Sequence, residues 1–297
     1  MNITNSLNLP QPFVSAAESD HRYTPKRYSA TSLLKGVRQC ILERRHADEI
    51  TEDVSDMVWA IFGTAVHGIL EAAQETETQL KENKLVVDMP NGYQLSGIFD
   101  LYDDATGTVT DYKTASVWKV NFGQKDPTQF DDWRKQTLIY CWMLRQIGFE
   151  ARRGEIVALL KDHSKTKAKI GEHPAHPVYR IGWDFSDEQI AECGEWLKAR
   201  FEEIAAAEQL PDDQLPMCTK EERWGKDDKW AVKKKGNKRA AKLHDSEAEA
   251  IADAQARSEK EGKPYEVEHR PGADARCIDY CSACQFCDHY MKLTEEA

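Results

Sequence analysis

The sequence predicts an α/β protein in which helices and strands alternate, with a small β-hairpin/helix module appended. Segments with helical periodicity or helix-capping residues are separated by strand-like segments joined at turn residues, and the composition shifts from Leu215 onward. The length of 297 residues suits one large domain or a domain with a substantial insertion, and 40% hydrophobic residues suffice for a core.

Residues 1–27 read as a flexible N-terminal arm, polar and interrupted by Pro10, Pro12 and Pro25. Residues 28–50 read as a helix opened by Ser29 and Thr31. Residues 56–79 read as a second helix, in which Val66, Ile69, Leu70 and Ala73 recur at helical spacing and are expected to face the core. Residues 93–102 and 108–114 read as strands of a hairpin, joined by the turn-rich Asp103-Asp104-Ala105-Thr106-Gly107. A helix over 131–147, strands over 154–161 and 178–185, and a long helix over 187–209 complete a core spanning residues 28–209. Ser186 and Gln189 give the last helix a capping-box signature. Residues 210–272 form the module: strands 230–235 and 238–243 joined at Gly236-Asn237, a polar helix over 246–261 and a strand over 265–269. Residues 273–297 are a cysteine-rich tail expected to pack on the core.

Asp and Glu number 51 against 40 Lys and Arg, a net charge of -11. That total argues against a protein that coats nucleic acid non-specifically, yet it says little about any one groove. No apolar run approaches the roughly 20 residues of a membrane helix, and the start is not built as a signal peptide, so a soluble cytoplasmic protein with no membrane partner is expected. In a reducing compartment the eight cysteines point to metal or cluster binding before disulfides.

The predicted hairpin carries the chemistry. With a turn over residues 104–107, Asp103 pairs with Thr108 and the same register sets Asp100 opposite Asp111. Two facing carboxylates about 5 Å apart repel unless a cation lies between them, and a divalent metal is the natural resident. Strand alternation projects Lys113 from the same face as Asp111, where an ammonium can orient a nucleophilic water or offset charge on a phosphate. Alone, an Asp-x-Lys tripeptide also suits a solvent-facing strand with an ordinary ion pair. Upstream, Gly63, His67 and Glu71 form one helical ridge; the glycine lets another backbone approach, and the histidine is a good third ligand for Mg²⁺ or Mn²⁺. Downstream, Gln136 and Tyr140 share an i, i+4 row that suits steering a phosphate or holding Lys113, and equally an ordinary amphipathic helix.

The ordered set Gly63-Thr64-Ala65-Val66-His67-Gly68-Ile69-Leu70-Glu71, Gly97-Ile98-Phe99-Asp100, Asp111-Tyr112-Lys113-Thr114 and Gln136 with Tyr140 resembles the RecB-type branch of the PD-(D/E)XK nuclease superfamily. It is similar in particular to the phage and CRISPR-associated exonucleases of that branch. The resemblance spans about residues 28–150 and implies a restriction-endonuclease-like core, a mixed central sheet flanked by helices. It also implies that His67, Asp100 and Asp111 bind Mg²⁺ or Mn²⁺, that Lys113 positions or activates the attacking water, and that Gln136 and Tyr140 complete the site. The role of Glu71 is left open. Asp111 stands where many relatives carry Glu, one methylene longer. The implied reaction is metal-assisted phosphodiester hydrolysis, with no covalent enzyme intermediate. No Gly-x-x-x-x-Gly-Lys-Ser/Thr sequence occurs, so helicase activity must come from a partner.

The tail places Cys277, Cys281, Cys284 and Cys287 within eleven residues, a density that suits tetrathiolate zinc or an iron–sulfur cluster. Cys141 and Cys193 read as ordinary buried thiols. The resemblance implies a [4Fe–4S] cluster held by three late cysteines and one distant one. Cys277, Cys281 and Cys287 fit the trio, with Cys284 a spare or substitute. Cys40 and Cys218 compete for the distant place, and Cys218, where the module begins, is favoured because closing the module brings its ends together. Zinc serves the same structural purpose.

Eight basic residues between Lys226 and Lys242 give that stretch about +6 and leave about -17 on the remainder. Lys233, Lys234, Lys235, Lys238 and Arg239, beside Trp224 and Trp230, suit a DNA backbone with unpaired bases stacking on the rings. A solvated edge hairpin guarded by lysines is the competing reading. The function expected is a metal-dependent DNA exonuclease acting on single-stranded or end-containing DNA in phage or bacterial recombination, repair or end processing. Partners of that kind are a helicase, a recombinase or single-strand annealing protein, or further copies of the chain. The alternatives are a CRISPR-adaptation-type end trimmer, an endonuclease, and a non-catalytic DNA-binding or assembly subunit, which would have no need of a repelling carboxylate pair.

Overall fold

The computed structural model describes residues 2–18 and 23–295. Met1, residues 19–22 of the predicted arm and the last two residues of the tail lie outside the described residues. The chain divides into two compact units, Met1–Leu215 and Pro216–Ala297.

The first unit runs β1 (Asn2–Thr4), α1 (Gln11–Ala17), β2 (Arg27–Ser29), α2 (Val37–Arg45), β3 (Thr51–Asp53), α3 (Val58–Glu71), β4 (Gln79–Lys81), β5 (Lys84–Met89), β6 (Tyr93–Ile98), β7 (Leu101–Asp103), β8 (Thr108–Ala115), α4 (Val117–Gly123), α5 (Asp131–Gln146), β9 (Arg153–Leu160), α6 (Lys165–Lys169), β10 (Val178–Asp184) and α7 (Asp187–Ala207). Its architecture is mixed α/β. The main sheet has the order β10-β9-β8-β7-β4, with β8 and β9 parallel and the other neighbours antiparallel. A parallel pair needs a crossover, and α4 and α5 supply it. Ile139, Met143 and Leu144 of α5 are fully buried, as are Ile156 and Ala158 of β9.

A second sheet, β2-β6-β5, is tied to the end of α7. The Tyr28 and Tyr93 hydroxyls donate to Glu208 Oε1 and Oε2 at 2.6 and 2.5 Å. Burial and these hydrogen bonds raise both phenol pKa values above the usual range. The Ser186/Gln189 capping box forms as read, and helices 131–147 and 187–209 and strands 108–114, 154–161 and 178–185 appear within a residue or two of expectation.

Several elements differ from the sequence reading. The arm carries β1, paired in parallel with β3, and α1. The helix expected over 28–50 begins only at Val37. Upstream, Ser29 and Ser32 exchange side-chain and backbone hydrogen bonds, the local alternative that competes with helix, and Arg27–Ser29 joins β6 instead. The second helix stops at Glu71, since Glu75 and Glu77 would repel the negative C-terminal end of its dipole. Its apolar residues do not enter the core: α3 has no buried residue, and Ile69 is 71% exposed. The strand expected over 93–102 breaks at Phe99-Asp100, so β6 lies in the second sheet and β7 in the main one.

The second unit runs β11 (Gly225–Lys226), β12 (Lys229–Lys234), β13 (Lys242–His244), α8 (Glu247–Glu261), β14 (Tyr265–Arg270), β15 (Ala273–Asp274), α9 (Ala275–Asp279) and α10 (Asp288–Glu295). The order β13-β12-β14 forms a sheet, and Ala250 and Ala254 of α8 pack with Val232, Trp230, Tyr265 and Val267. The hairpin loop is longer than the Gly236-Asn237 turn, because Val232 pairs with Lys242. Among the described residues, no helix is long and apolar enough to cross a membrane.

Candidate active site

The β7–β8 hairpin has the register its turn requires: Asp103 opposes Thr108, Tyr102 opposes Val109 and Leu101 opposes Thr110. The ladder ends at Leu101, so the expected pairing of Asp100 with Asp111 is not part of it; Asp100 stands at the bend just before β7 and reaches β8 through its side chain. Both are buried, at 7% and 3% exposure. Asp100 Oδ2 accepts the Tyr112 backbone N–H at 2.5 Å, which fixes its carboxylate against β8.

Asp111 closes a ring with two other predicted site residues. Lys113 Nζ lies 2.7 Å from Asp111 Oδ2 and donates to Gln136 Oε1 at 2.9 Å, while Gln136 Nε2 donates to Asp111 Oδ1 at 2.7 Å. The Lys113 ammonium is thus the charge partner of the buried Asp111 Oδ2, while Gln136 satisfies Oδ1. Tyr140, one turn beyond Gln136, is 4% exposed. A Cβ at Gly97 would stand 2.6 Å from the Tyr140 ring, so glycine there gives the ring its place.

His67 reaches the pair from α3: its Nδ1 lies 3.1 Å from Asp100 Oδ1 and 4.0 Å from Glu82 Oε1. His67, Glu82 and Asp100 bring ligand atoms within 4.8 Å of one another. Gly63 is not held by a close backbone, since a Cβ there meets only Thr114 Oγ1 at an ordinary 3.6 Å. Glu71 is exposed, and its backbone carbonyl accepts from Lys81. Glu82 is the carboxylate that sequence reading missed. It sits between β4 and β5 with a φ of 49°, and the expected helix through residue 79 hid the strand pair that aims it.

The electrostatics record mutual repulsion. Burial raises the Asp111 pKa and the Asp100 charge adds to that, against the lowering effect of Lys113. The hydrogen bond to Asp100 holds His67 above the usual imidazole range although burial opposes it. Glu82 is raised by burial and by Asp100 and Glu71. Two carboxylates and an imidazole, from Asp100, Glu82 and His67, form a donor set that fits a hard divalent cation, whereas the expected ligand Asp111 lies outside that group and is held by Lys113 and Gln136.

In the second unit the structure groups the cysteines differently from the sequence reading. Cys277 has Asp274, Cys218 and Cys287 as charge neighbours, and with burial they push its thiol up to about 11. Asp274, Cys277 and His289 offer ligand atoms within 4.8 Å of one another. Cys281 and Cys284 lie in the intervening turn. Cys40 is buried in the first unit, its thiol donating to the Ser32 carbonyl at 3.0 Å and pushed up to about 12 by burial. Cys141 and Cys193 are buried thiols, as expected.

The basic hairpin is partly neutralised. Lys233 pairs with Glu268 and, at 3.4 Å, with Glu266; Lys234 is half-buried beside Lys263. Lys235, Lys238 and Arg239 are exposed. Trp230 packs into the α8 cluster against His269, and Trp224 packs against Tyr280 and Arg276, so neither ring is a bare stacking platform.

Comparison with known proteins gives limited likeness. A family model described as "Uncharacterized protein conserved in bacteria (DUF2188)" matches residues 222–270. No curated protein matches the chain. The crystal structure of SSO0001 is 16% identical, with a TM-score of 0.43 over 62% of this chain and 81% of that one. The alkaline exonuclease of Laribacter hongkongensis is 12% identical, with a TM-score of 0.40 over 67% of this chain and 95% of that one. A phage-related exonuclease from Haemophilus somnus is 11% identical, with a TM-score of 0.34 over 61% and 95%.

Proposed function

We propose that the chain is a metal-dependent DNA nuclease of the PD-(D/E)XK kind, acting as an exonuclease on DNA ends. One observation carries the reading: two buried carboxylates are held at β8, Asp100 by the Tyr112 N–H with His67 on its other oxygen, and Asp111 beside Lys113. Such an arrangement costs stability unless a cation and a reaction use it.

In this reading Asp100 and Asp111 supply carboxylate oxygens and His67 an imidazole nitrogen to Mg²⁺ or Mn²⁺, with Glu82 beside them. When bound, the ion lowers the pKa of a coordinated water and offsets charge gathering on the phosphate. Gln136 holds the Lys113 ammonium beside Asp111, so that it meets the attacking water and the phosphoryl oxygens already oriented. Tyr140 is buried one turn beyond Gln136, and Gly97 leaves room for its ring. The hairpin cations Lys235, Lys238 and Arg239 add a weaker contact to the DNA backbone. The tail serves as a structural metal site, for which the motif resemblance implies a [4Fe–4S] cluster and thiolate chemistry admits zinc.

The test is incubation of the purified chain with end-labelled linear and circular DNA, single- and double-stranded, with Mg²⁺ or Mn²⁺. Loss of linear DNA with circular DNA spared supports the exonuclease. Cleavage of both forms makes it an endonuclease, and binding without cleavage under either metal overturns the nuclease.

A further inference from the structure

The second unit contains a metal-ligand cluster whose composition departs from a four-cysteine site. The short ladder of β11 and β15 pairs Gly225 with Asp274 and so draws the segment after Cys218 against the segment before Cys277. Arg223 fastens the junction: its Nη1 donates to the Cys218 carbonyl at 3.0 Å, its Nε lies 3.1 Å from Asp274 Oδ2, and its carbonyl accepts the Arg276 N–H at 3.0 Å. α9 then presents Cys277, and the start of α10 presents Cys287 and His289 two residues apart, where the Met291 N–H bonds back to the Cys287 carbonyl.

His289 is already oriented as metal-bound histidines are. Its Nε2 lies 2.6 Å from Asp274 Oδ2, the carboxylate that Arg223 also holds. A carboxylate on one ring nitrogen fixes the tautomer and ring angle and leaves the other nitrogen, Nδ1, as the ligand atom. Cys277 lies within the same 4.8 Å group; the ladder and the Arg223 bond to the Cys218 carbonyl draw the Cys218 segment towards it, and Cys287 stands two residues before His289.

We infer that the second unit binds one zinc ion through Cys218, Cys277, Cys287 and the Nδ1 of His289, with Asp274 as the residue that positions the histidine. Three thiolates and one imidazole complete a closed tetrahedral set, the form taken by structural zinc. An iron–sulfur cluster of the kind implied by the motifs takes a thiolate at each iron, whereas the ligand atoms within 4.8 Å of one another here are one thiol, one imidazole and one carboxylate. The ligands flank residues 219–276, which include the segment matched by the bacterial family model. The ion therefore closes that module at its base. This inference is independent of the nuclease reading, and its test measures no cleavage.

The full chain, free of any histidine tag, is purified without oxygen from cells supplied with both iron and zinc, and examined by metal analysis, zinc-edge absorption spectroscopy and chelator competition. The expected result is one zinc per chain, with sulfur at about 2.3 Å and nitrogen at about 2.0 Å. His289→Ala loses the nitrogen scatterer. Asp274→Asn, a variant that preserves shape, weakens zinc binding about 10- to 100-fold. Cys284→Ser binds as the parent does. Iron with acid-labile sulfide and a visible absorption band would overturn the inference. So would a sulfur-only zinc shell that survives His289→Ala and fails in Cys281→Ser or Cys284→Ser, or a folded chain that takes up no metal.

Discussion

The carboxylate centre of the first unit and the thiol–imidazole centre of the second both gather groups that repel one another when charged, yet they are assembled in opposite ways. Asp111 comes from a strand of a five-stranded sheet, Asp100 from the bend that enters its neighbour and Gln136 from a helix packed on it, and all three are buried. That site exists only once the sheet exists, so its geometry is set in advance, as a reacting centre requires. Cys277, Cys287 and His289 come from short helical turns held by a two-residue ladder, and all are partly exposed. Little apolar burial supports them, so on the proposed zinc reading metal binding would contribute much of their order. A preorganised centre borrows its stability from the sheet, whereas the local one, on that reading, depends on the ion.

The largest effect that separates them is expected at Asp111. Asp111→Asn should lower cleavage at least ~10³-fold while the chain still folds. Because burial raises the Asp111 pKa, the stability this group contributes is present at low pH and lost as pH rises through its folded-state pKa. Without metal near neutrality its ionisation therefore costs stability. In chelator Asp111→Asn should melt above the wild type, and Mg²⁺ should raise the melting temperature of the wild type only. A variant that melts lower in chelator would show that the carboxylate is held by hydrogen bonds alone.

Lys113→Ala should cost ~10²–10³-fold in kcat with metal binding intact. Loss of metal binding instead would give the lysine a purely structural role. Gly97→Ala forces a Cβ into the Tyr140 ring and should cost about 1–3 kcal/mol of stability together with activity. Unchanged melting would show that the ring gives way freely. The cleavage rate should fall on the acid side as Asp111 and His67, both raised, take up protons, and higher Mg²⁺ should move that limb to lower pH because the ion competes with protons. A limb that ignores metal concentration would place the titrating group elsewhere. The smallest effect belongs to the hairpin: neutralising Lys235, Lys238 and Arg239 should weaken DNA binding modestly and flatten its salt dependence, and an unchanged slope would remove the hairpin from the interface.

What the sequence made legible follows from locality. A turn-rich segment between two alternating strands sets a register, so the pairing from Asp103–Thr108 to Leu101–Thr110 could be counted from the turn, and Lys113 beside Asp111 followed from strand alternation. The i, i+4 row of Gln136 and Tyr140 likewise needed only a helix. Glu82 and His289 escaped. Glu82 depends on β4 pairing with β7 and on a left-handed backbone, both set by tertiary structure. His289 depends on Asp274 arriving from across a ladder, although the spacing Cys287-Asp288-His289 was a visible signal. Helical periodicity also misled: an apolar stripe in α3 marks amphipathicity, but it does not say that the stripe is covered.

The central claim is that the buried Asp100 and Asp111 carboxylates together hold a divalent cation. Titration of Mn²⁺ into the full-length chain, read by electron paramagnetic resonance, tests it most directly. The account predicts a site present in the wild type and in His289→Ala and lost in Asp111→Asn; equal Mn²⁺ binding by Asp111→Asn would contradict it.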